Sequence, residues 1–472
     1  MGLIAAAICA PNIARGDDKP RIDGVVFTRP KAMGFQNVQT KTDPTHSFEF
    51  YHKAVNRPPK LRAVCQTAQG VANVIGWARD NGKKFSVRST GHDFAGHSHH
   101  DELIIDTGFL NNINIDSANG RFSTGPGSRG GAVYIALAKA GLGMGGGTFE
   151  SVGMAGITLG GGIGHFSRYA GLLADQLESL KMVTPRGEII HVSQTENSDL
   201  FWACRGGGGT SFGIVTELNY RAFELSQLVY FNAPVWTSVE DTIRILHAWP
   251  QWNAALPQQV TSHLRFTPYS GGRFLIYLNG MSLLQPEETK SRLVELLGRG
   301  QPGHANWMFS DSPVDIFKRL YGQPHFIPVT DQITSSQVFD KIPDKAQITD
   351  LIRQLGRYSP NSLILNLESL GGAVAKRTSQ DTPFPHRNAH FIIHYLRVYA
   401  NQTQHINAVK AMADARAILQ PFTSGGVYVN YPEPDLENWQ TAYWGKNLAR
   451  LRAIKRGFDP ENVFRHAQSV PL

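Results

Sequence analysis

The sequence is short of cysteine, of charged blocks and of long apolar runs, and each shortage excludes a class of protein. Its 472 residues include three cysteines, Cys9, Cys65 and Cys204, which are too few for a disulfide framework and lack the spacing of a zinc site. No apolar run approaches the length that spans a bilayer. The net charge of +8 is spread along the chain rather than gathered in a Lys/Arg block. We therefore expect no nucleic-acid partner and no membrane partner.

The first twenty residues are similar to the end of an export signal. A short apolar run at 3–10 is followed by small residues and a polar stretch at 15–18. The basic residues that usually precede such a run are absent. We expect residues 1–20 to be an export-signal remnant of a periplasmic or secreted protein, and a frayed N-terminus is the alternative.

Glycine, by contrast, is abundant, with 47 residues that concentrate between positions 125 and 213. Because glycine lets a backbone approach a ligand closely, this concentration predicts a wall against a large flat ligand. The run at 160–164 does not fit a Rossmann fingerprint, since no strand precedes it in a compact βαβ unit and no acidic residue follows at the right distance. After about residue 228 glycine thins out, which predicts a second domain, as the length also does.

Periodicity of the apolar residues predicts a mixture of helices and strands. A helix over 68–81 ends at Gly82 and is followed by a strand at 84–88. Near the C-terminus we predict a strand at 427–431 and a helix over 438–456. Helix, strand and glycine-containing loop in succession indicate an α+β fold.

A turn of small residues follows the strand at 84–88. It reads RSTGHDFAGHS from Arg88 onwards, and its consecutive backbone N–H groups suit an anion nest for a pyrophosphate. The histidines of this stretch are also compatible with a metal cluster, but their spacing lacks a helix or a second ligand group of known geometry. We therefore expect no metal site, and a solvated loop is the remaining alternative.

Five segments of the sequence form a recognisable series. They are RSTGHDFAGHS, GGTFESVGMAGITLGGGIGHFSRYAGLLADQL, DLFWACRGGGGTSFGIVTEL, FPHRNAHFIIHYL, and the tail YVNYPEPDL through YWGKNLARLRAIKRGFDPENVFRHAQSVP. Together they resemble the berberine-bridge-enzyme-like flavoprotein oxidases, which have the vanillyl-alcohol-oxidase (PCMH) type of FAD fold. The resemblance runs in the family's order from about Pro59 to the C-terminus.

The resemblance implies an α+β fold in which a two-part PCMH-type FAD-binding domain encloses an inserted sheet-and-helix substrate domain. We expect the FAD-binding domain at 21–226 and the substrate domain at 227–421. A C-terminal segment at 422–472 is expected to return to the FAD-binding domain. The active site would then lie where the parts meet.

The resemblance also implies that FAD is bound covalently, through its 8α position, to His92. Many family members add a second bond from a cysteine, and this position is Phe149 here, so we expect a single covalent bond. A structural role is the alternative for one of the expected contacts, His165. The expected cofactor contacts are Arg88, Ser89, Thr90, Gly91, Gly96, Gly147, Val152, Gly153, Gly156, Gly161, Gly162, Gly164, His165, Gly213, Val215 and Asn430.

Two predicted strands carry the candidate catalytic residues. Alternation places Tyr428 and Asn430 on one face of the strand at 427–431, and Asn366 and Glu368 on one face of another. Family members pair a tyrosine base with an acid or polar residue, so Tyr428 is the expected base and Glu368 the group that orients or activates it. Tyr431, on the opposite face, is the rival base, and a packed core tyrosine is the alternative for Tyr428. The expected substrate pocket contains Asn366, His394, Tyr395 and Tyr431.

The resemblance implies two-electron oxidation of a CH–OH group, with O2 reduced to H2O2. Val152 lies where a small side chain admits oxygen to the flavin, which favours an oxidase over a dehydrogenase. The leading substrate class is an oligosaccharide or other sugar, oxidised at its anomeric carbon. A secondary-amine, alkaloid or phenolic alcohol oxidase is the alternative enzyme, and a non-catalytic flavin or ligand carrier is the alternative of another class.

Overall fold

The computed structural model describes residues 20–29, 57–269, 272–298, 308–322, 331–358 and 363–472. The expected export-signal remnant lies, except for its last residue, outside the described residues and stays a prediction. Cys65 and Cys204 are buried free thiols. Within the ranges given, no helix is long and apolar enough to cross a membrane.

The N-terminal half of the chain folds into two larger sheets with short helices between the strands. In chain order the elements are β1 (Val25–Thr28), β2 (Leu61–Cys65), α1 (Ala68–Asp80), β3 (Phe85–Arg88), β4 (Leu103–Asp106), β5 (Ile113–Asp116), β6 (Arg121–Thr124), α2 (Gly130–Lys139), β7 (Leu142–Gly143), α3 (Met154–Leu159), α4 (Ser167–Ala170), β8 (Leu177–Val183), β9 (Ile189–Ser193), α5 (Ser198–Ala203), β10 (Ile214–Arg221) and β11 (Phe223–Glu224). The sheets have the orders β1-β2-β4-β3 and β5-β6-β10-β8-β9, and β7 pairs with β11.

Helix α1 shows why the first predicted unit forms. The Thr67 hydroxyl accepts a hydrogen bond from the Gly70 N–H at 2.9 Å, which caps the first turn. Val71, Val74 and Ala78 recur at helical spacing and are buried against the first sheet. The predicted helix over 68–81 and the strand after it are therefore confirmed, and β3 delivers the chain directly into the histidine loop at 89–98.

The middle of the chain forms one seven-stranded antiparallel sheet with helices over one face. Its elements are β12 (Val229–Thr237), α6 (Val239–Ala255), β13 (Val260–Pro268), β14 (Phe274–Ser282), α7 (Pro286–Leu297), β15 (Met308–Phe309), α8 (Pro313–Tyr321), β16 (Asp331–Phe339), α9 (Lys345–Leu355), β17 (Ile364–Ser369), β18 (Phe391–Tyr399) and α10 (Gln402–Leu419). The strand order is β15-β12-β14-β13-β17-β18-β16. Alternate residues of the strands, such as Leu264 and Phe266, pack in a core against α6, α7, α9 and α10. The side chains of the residues between them point to the opposite face of the sheet.

The C-terminal segment packs back onto the N-terminal half. Its helices are α11 (Trp439–Trp444) and α12 (Leu448–Phe458), and Trp444 and Leu451 are buried in the same core as Trp202 of α5. The predicted continuous helix over 438–456 is wrong, because Gly445 takes a φ of +50° and separates the two helices. The mixed helix-and-sheet fold expected from the sequence is confirmed.

The predicted strand at 427–431 is also wrong. These residues form a turn, in which the Tyr431 N–H donates to the Tyr428 carbonyl at 2.8 Å. A turn does not alternate its side chains between two faces. The two tyrosine rings consequently lie together, with centroids 5.1 Å apart and planes at 88°.

Candidate active site

A cavity of about 520 Å³ lies between the uncovered face of the seven-stranded sheet, the loops of the N-terminal half and the turn at 428–432. Most of the predicted site residues line it. They are Ser89, Thr90, Gly91, His92, Gly147, Val152, Gly153, Gly156, His165, Gly213, Val215, Asn366, Glu368, His394, Tyr428, Asn430 and Tyr431.

The histidine loop at 89–98 is shaped by two charged side chains, the buried Arg88 and the partly buried Asp93. At its start, the Arg88 guanidinium pairs with Asp106 at 2.8 Å and donates to the carbonyl of Thr90 at 3.3 Å. At its end, the Asp93 carboxylate accepts the N–H groups of Gly96 and Ser98. Arg88 and Gly96, expected as cofactor contacts, do not line the cavity. Both residues shape the loop from behind it.

His92 lies in the cavity wall as a neutral imidazole. Burial, assisted by the charge of Arg129, lowers the pKa of His92 to about 3. Its Nε2 atom is 2.9 Å from the Ser151 hydroxyl. The ring of Phe149 lies 5.4 Å away with its plane at 62°, and this side chain is 44% exposed. The imidazole is thus held between an aromatic ring and a hydroxyl group.

The predicted glycine contacts fall into two groups. Gly147, Gly153 and Gly156 line the cavity, whereas the glycines at 161, 162 and 164 lie behind it. A Cβ at Gly164 would be 2.3 Å from the backbone of Gly146, and Gly162 takes a φ of +86°. The glycines behind the cavity are therefore needed for close backbone packing rather than for exposing backbone to the cavity.

Tyr428 is anchored by its hydroxyl oxygen to the backbone of the glycine run. This oxygen accepts N–H groups of Gly162 at 2.9 Å and Ile163 at 3.3 Å, and the Asn430 amide nitrogen lies 2.8 Å away. Burial raises the pKa of Tyr428 to about 12. The expected Tyr428–Asn430 neighbourhood is present, although a turn and not a strand produces it.

Glu368 bonds to the other tyrosine. The Tyr431 hydroxyl donates to Glu368 Oε1 at 2.8 Å, while Oε2 is buried without a hydrogen-bond partner among the described residues. Burial raises the pKa of Glu368 to about 7. The Tyr431 ring stacks on His394 at 3.8 Å, with 5° between the planes. The expected pairing of Glu368 with Tyr428 is therefore wrong, because the turn presents Tyr431 to the carboxyl group instead.

Residues 59–193 match the FAD binding domain family, and residues 427–471 match the berberine and berberine-like family. The sequence is 31% identical over 424 residues to the FAD-linked oxidoreductase YgaK of Bacillus subtilis, covering 89% of this chain and 92% of that protein. The chain belongs to the berberine-bridge-enzyme-like family of FAD-linked oxidoreductases. The resemblance seen in the five segments and the assignment as an FAD-linked enzyme are confirmed.

Two further relatives of this FAD-linked oxidoreductase are named for different substrates. A chitooligosaccharide oxidase of Gibberella zeae is 26% identical, covering 87% of each chain. An (R)-6-hydroxynicotine oxidase of Paenarthrobacter nicotinovorans is 27% identical, covering 87% of this chain and 91% of that protein. A solved chitooligosaccharide oxidase structure superposes with a TM-score of 0.79 at 25% identity, over 89% of this chain and 93% of that one.

The small residues that line the cavity are compatible with bound FAD, in agreement with the family assignment. Gly156 of α3 faces it, and a Cβ built there meets no atom within 4 Å. Residues such as Gly91 and Gly147 line it with little side-chain bulk, so backbone is presented to a ligand. The residues that would hold FAD in this FAD-linked oxidoreductase are therefore the histidine loop, the cavity-facing glycines and the segment at 207–215.

Gly156 offers a test of this arrangement. Gly156→Leu extends a side chain into the cavity. We therefore expect the FAD content of the purified protein to fall by about tenfold or more. The melting temperature of the FAD-free protein should change little, since leucine is favourable in a helix.

The control is Gly164→Ala, in which the added Cβ meets backbone. We expect it to lower the free energy of unfolding by about 1–3 kcal/mol. Flavin absorbance per chain and thermal unfolding measure the two effects; unchanged FAD content in Gly156→Leu would contradict the arrangement.

Tyr395 does not belong to the pocket. It follows His394 on β18, so its side chain points to the opposite face of the sheet. There it is fully buried in the core beneath the helices, and its hydroxyl donates to Gln337 Oε1 at 2.7 Å. The expectation that Tyr395 lines the pocket is therefore wrong.

Several cavity residues were missed by the sequence reasoning. His263 and Arg265 of β13 and Asn279 of β14 all line the cavity. A sequence signal for the residues of β13 was present, since polar residues alternate with apolar ones along this strand. Tyr321 was missed because it ends α8, and no motif connects it to His165, whose Nε2 lies 2.6 Å from the Tyr321 hydroxyl.

Proposed function

We propose that this FAD-linked oxidoreductase oxidises a CH–OH group, with an oligosaccharide or other sugar, at its anomeric carbon, as the substrate class. The observation that carries the proposal is the Glu368 carboxyl group, buried in the cavity with no partner for Oε2 in the described part of the chain. When bound, FAD would accept the two electrons removed from the substrate. Molecular oxygen would then reoxidise the cofactor, with release of hydrogen peroxide.

Glu368 provides the proton acceptor that oxidation of an alcohol needs. The substrate hydroxyl donates to Oε2 and loses its proton to this atom as the carbon is oxidised. Tyr431 holds Oε1 by its hydrogen bond, and this fixes the direction in which Oε2 points. A base with a pKa near the working pH is the most effective, and the pKa of Glu368, about 7, satisfies this condition better than either tyrosine does. We propose Glu368 rather than Tyr428 as the base, because the Tyr428 hydroxyl already accepts hydrogen bonds from the glycine run.

The sheet face around Glu368 supports a hydroxylated substrate. Asn366 and His394 lie opposite each other on β17 and β18 and both face the cavity. Such uncharged polar groups both donate and accept hydrogen bonds, as hydroxyl groups do. The similarity to the chitooligosaccharide oxidase agrees with this substrate class.

A secondary-amine or alkaloid substrate is the second candidate. The observation that favours it is the ring of Phe94, 6.4 Å from Tyr431 and 5.7 Å from His394, which adds an aromatic surface beside the Glu368 carboxyl group. A carboxylate among aromatic rings suits an organic cation. The similarity to the (R)-6-hydroxynicotine oxidase agrees with this alternative.

We further propose a single covalent bond between FAD and His92. A neutral imidazole nitrogen is the form that bonds to a carbon centre, and burial keeps His92 in this form by lowering its pKa to about 3. Phe149 stands beside it and offers no thiol for a second bond. Val152 also lines the cavity, and a side chain this small would leave room for oxygen to reach the flavin.

Hydrogen peroxide release distinguishes the two substrate classes. Cello-, chito- and xylo-oligosaccharides would be compared with cyclic amines, including 6-hydroxynicotine, in a peroxidase-coupled assay. We expect peroxide from at least one oligosaccharide series and none from the amines. Peroxide from amines alone would replace the proposed substrate class by the second candidate.

The pH dependence of the reaction should follow Glu368. The base accepts a proton only when it is ionised, so kcat/KM should be constant above the pKa of about 7 and fall below it. We expect a loss of about tenfold per pH unit, which makes kcat/KM at pH 5 about a hundredfold lower than at pH 8. Initial rates at low substrate between pH 5 and 9 measure the profile. A flat profile would exclude Glu368 as the group whose ionisation limits the reaction.

A further inference from the structure

Three polar side chains form a second cluster in the cavity, next to Glu368. They are His165, which follows the glycine run, His263 of β13 and Tyr321 of α8. The His165 and His263 rings are 6.3 Å apart, and His165 Nε2 lies 2.6 Å from the Tyr321 hydroxyl. None of them takes part in the proposed proton transfer to Glu368.

Several hydrogen-bonding atoms of the cluster have no partner among the described residues. Both ring nitrogens of His263 and Nδ1 of His165 are buried without a partner among the described residues. The two histidines are only 5% and 6% exposed. Buried polar groups are almost always paired, so three unpaired nitrogens lining one cavity indicate that a ligand completes them.

The chemistry of that ligand follows from the charge of the cluster. Burial lowers the pKa of His165 to about 3 and that of His263 to about 4, so both rings are neutral at physiological pH. A neutral imidazole has one N–H donor and one acceptor nitrogen. A hydroxyl group matches both, whereas a carboxylate can only accept and an ammonium group can only donate.

The position of the cluster follows from strand register. His263 lies directly opposite Glu368 in the antiparallel pair of β13 and β17, so the two side chains share the cavity face. Residues paired in this way have Cβ atoms about 5 Å apart. A group bound to His263 therefore lies close to the carbon whose hydroxyl meets Glu368.

We propose that His165 and His263 form a subsite for a hydroxyl group on the carbon next to the one that is oxidised. Tyr321 positions the His165 ring through its hydrogen bond. The inference rests on the proposed oxidation of a CH–OH group at Glu368 and adds that the substrate is a vicinal diol, as cello- and xylo-oligosaccharides are at their reducing ends and chito-oligosaccharides are not. His263 is then a specificity-determining residue.

The test measures binding rather than turnover. The probes are anhydroglucitol, anhydromannitol and anhydrogalactitol, which lack the anomeric hydroxyl, together with a deoxy counterpart of each that also lacks the neighbouring hydroxyl. Perturbation of the flavin absorbance of the holoenzyme reports Kd. The variants are His263→Leu, His263→Gln, which keeps one donor and one acceptor, and the exposed control His191→Leu.

We expect at least one anhydroalditol to bind the wild type about tenfold more tightly than its deoxy counterpart. His263→Leu should lose this preference, while His263→Gln keeps most of it and His191→Leu all of it. The same preference in His263→Leu, or no preference in the wild type, would overturn the subsite. Peroxide from sugars with no deoxy effect would leave the proposed function standing without the subsite, and the deoxy effect without peroxide would leave the subsite standing alone.

Discussion

Glu368→Gln is expected to lower kcat/KM by about a thousandfold, because glutamine keeps the shape of the side chain and loses the ability to accept a proton. Tyr431→Phe should have a smaller effect, about tenfold to a hundredfold, since the carboxylate remains but its Oε1 atom is no longer held. Steady-state peroxide release on the best substrate measures both. FAD content and melting temperature should match the wild type.

The control for this prediction is the same substitution at a partly exposed site outside the cavity. Glu217 lies on the surface of β10, where it pairs with Lys181 at 3.1 Å. Glu217→Gln should leave kcat/KM within about twofold of the wild type. If Glu368→Gln retained a third of the wild-type kcat/KM, another group would have to accept the proton.

Arg387→Met is expected to reduce the free energy of unfolding by about 3–5 kcal/mol. The Arg387 guanidinium is fully buried and makes two parallel hydrogen bonds to Asp175, at 2.7 and 2.9 Å. Its removal leaves a buried carboxylate whose remaining ion pair among the described residues is with Arg377, which is 39% exposed. This pair also connects the segment before β18 to the start of β8, so the cavity walls should loosen as well.

Denaturant unfolding, followed by tryptophan fluorescence, measures this effect. Arg450→Met is the matched control, because Arg450 pairs with Asp199 at 2.7 Å on the surface. There the pair is hydrated, and we expect a loss below about 1 kcal/mol. Equal losses in the two variants would show that burial of the Arg387–Asp175 pair contributes nothing.

The parts of the site that lie on local motifs could be predicted from the sequence. The loop around His92 follows a strand and ends in small residues, and both features depend only on neighbours in the chain. The position of Gly156 in the cavity wall likewise follows from one continuous segment. Capping, apolar periodicity and glycine spacing determine such units locally.

The pairing of side chains could not be predicted in the same way. Alternation assigned Tyr428 and Tyr431 to opposite faces, but a β-turn brought the two rings together. Whether Glu368 bonds to one or the other depends on how this turn lies against β17, a contact between distant segments. Alternation along β13 indicates which face His263 occupies, but its position opposite Glu368 depends on the register of β13 with β17, which is again a contact between distant segments.

We propose above all that this cavity holds FAD bound through His92. Tryptic digestion and fragmentation mass spectrometry of the holoenzyme test it most directly, because cleavage after Arg88 places His92 near the start of one peptide. We expect the mass of FAD on this peptide, at His92, with the yellow colour retained in the protein after acid precipitation. In His92→Ala the peptide should carry no flavin. Flavin recovered entirely in the acid supernatant of the wild type would contradict the claim.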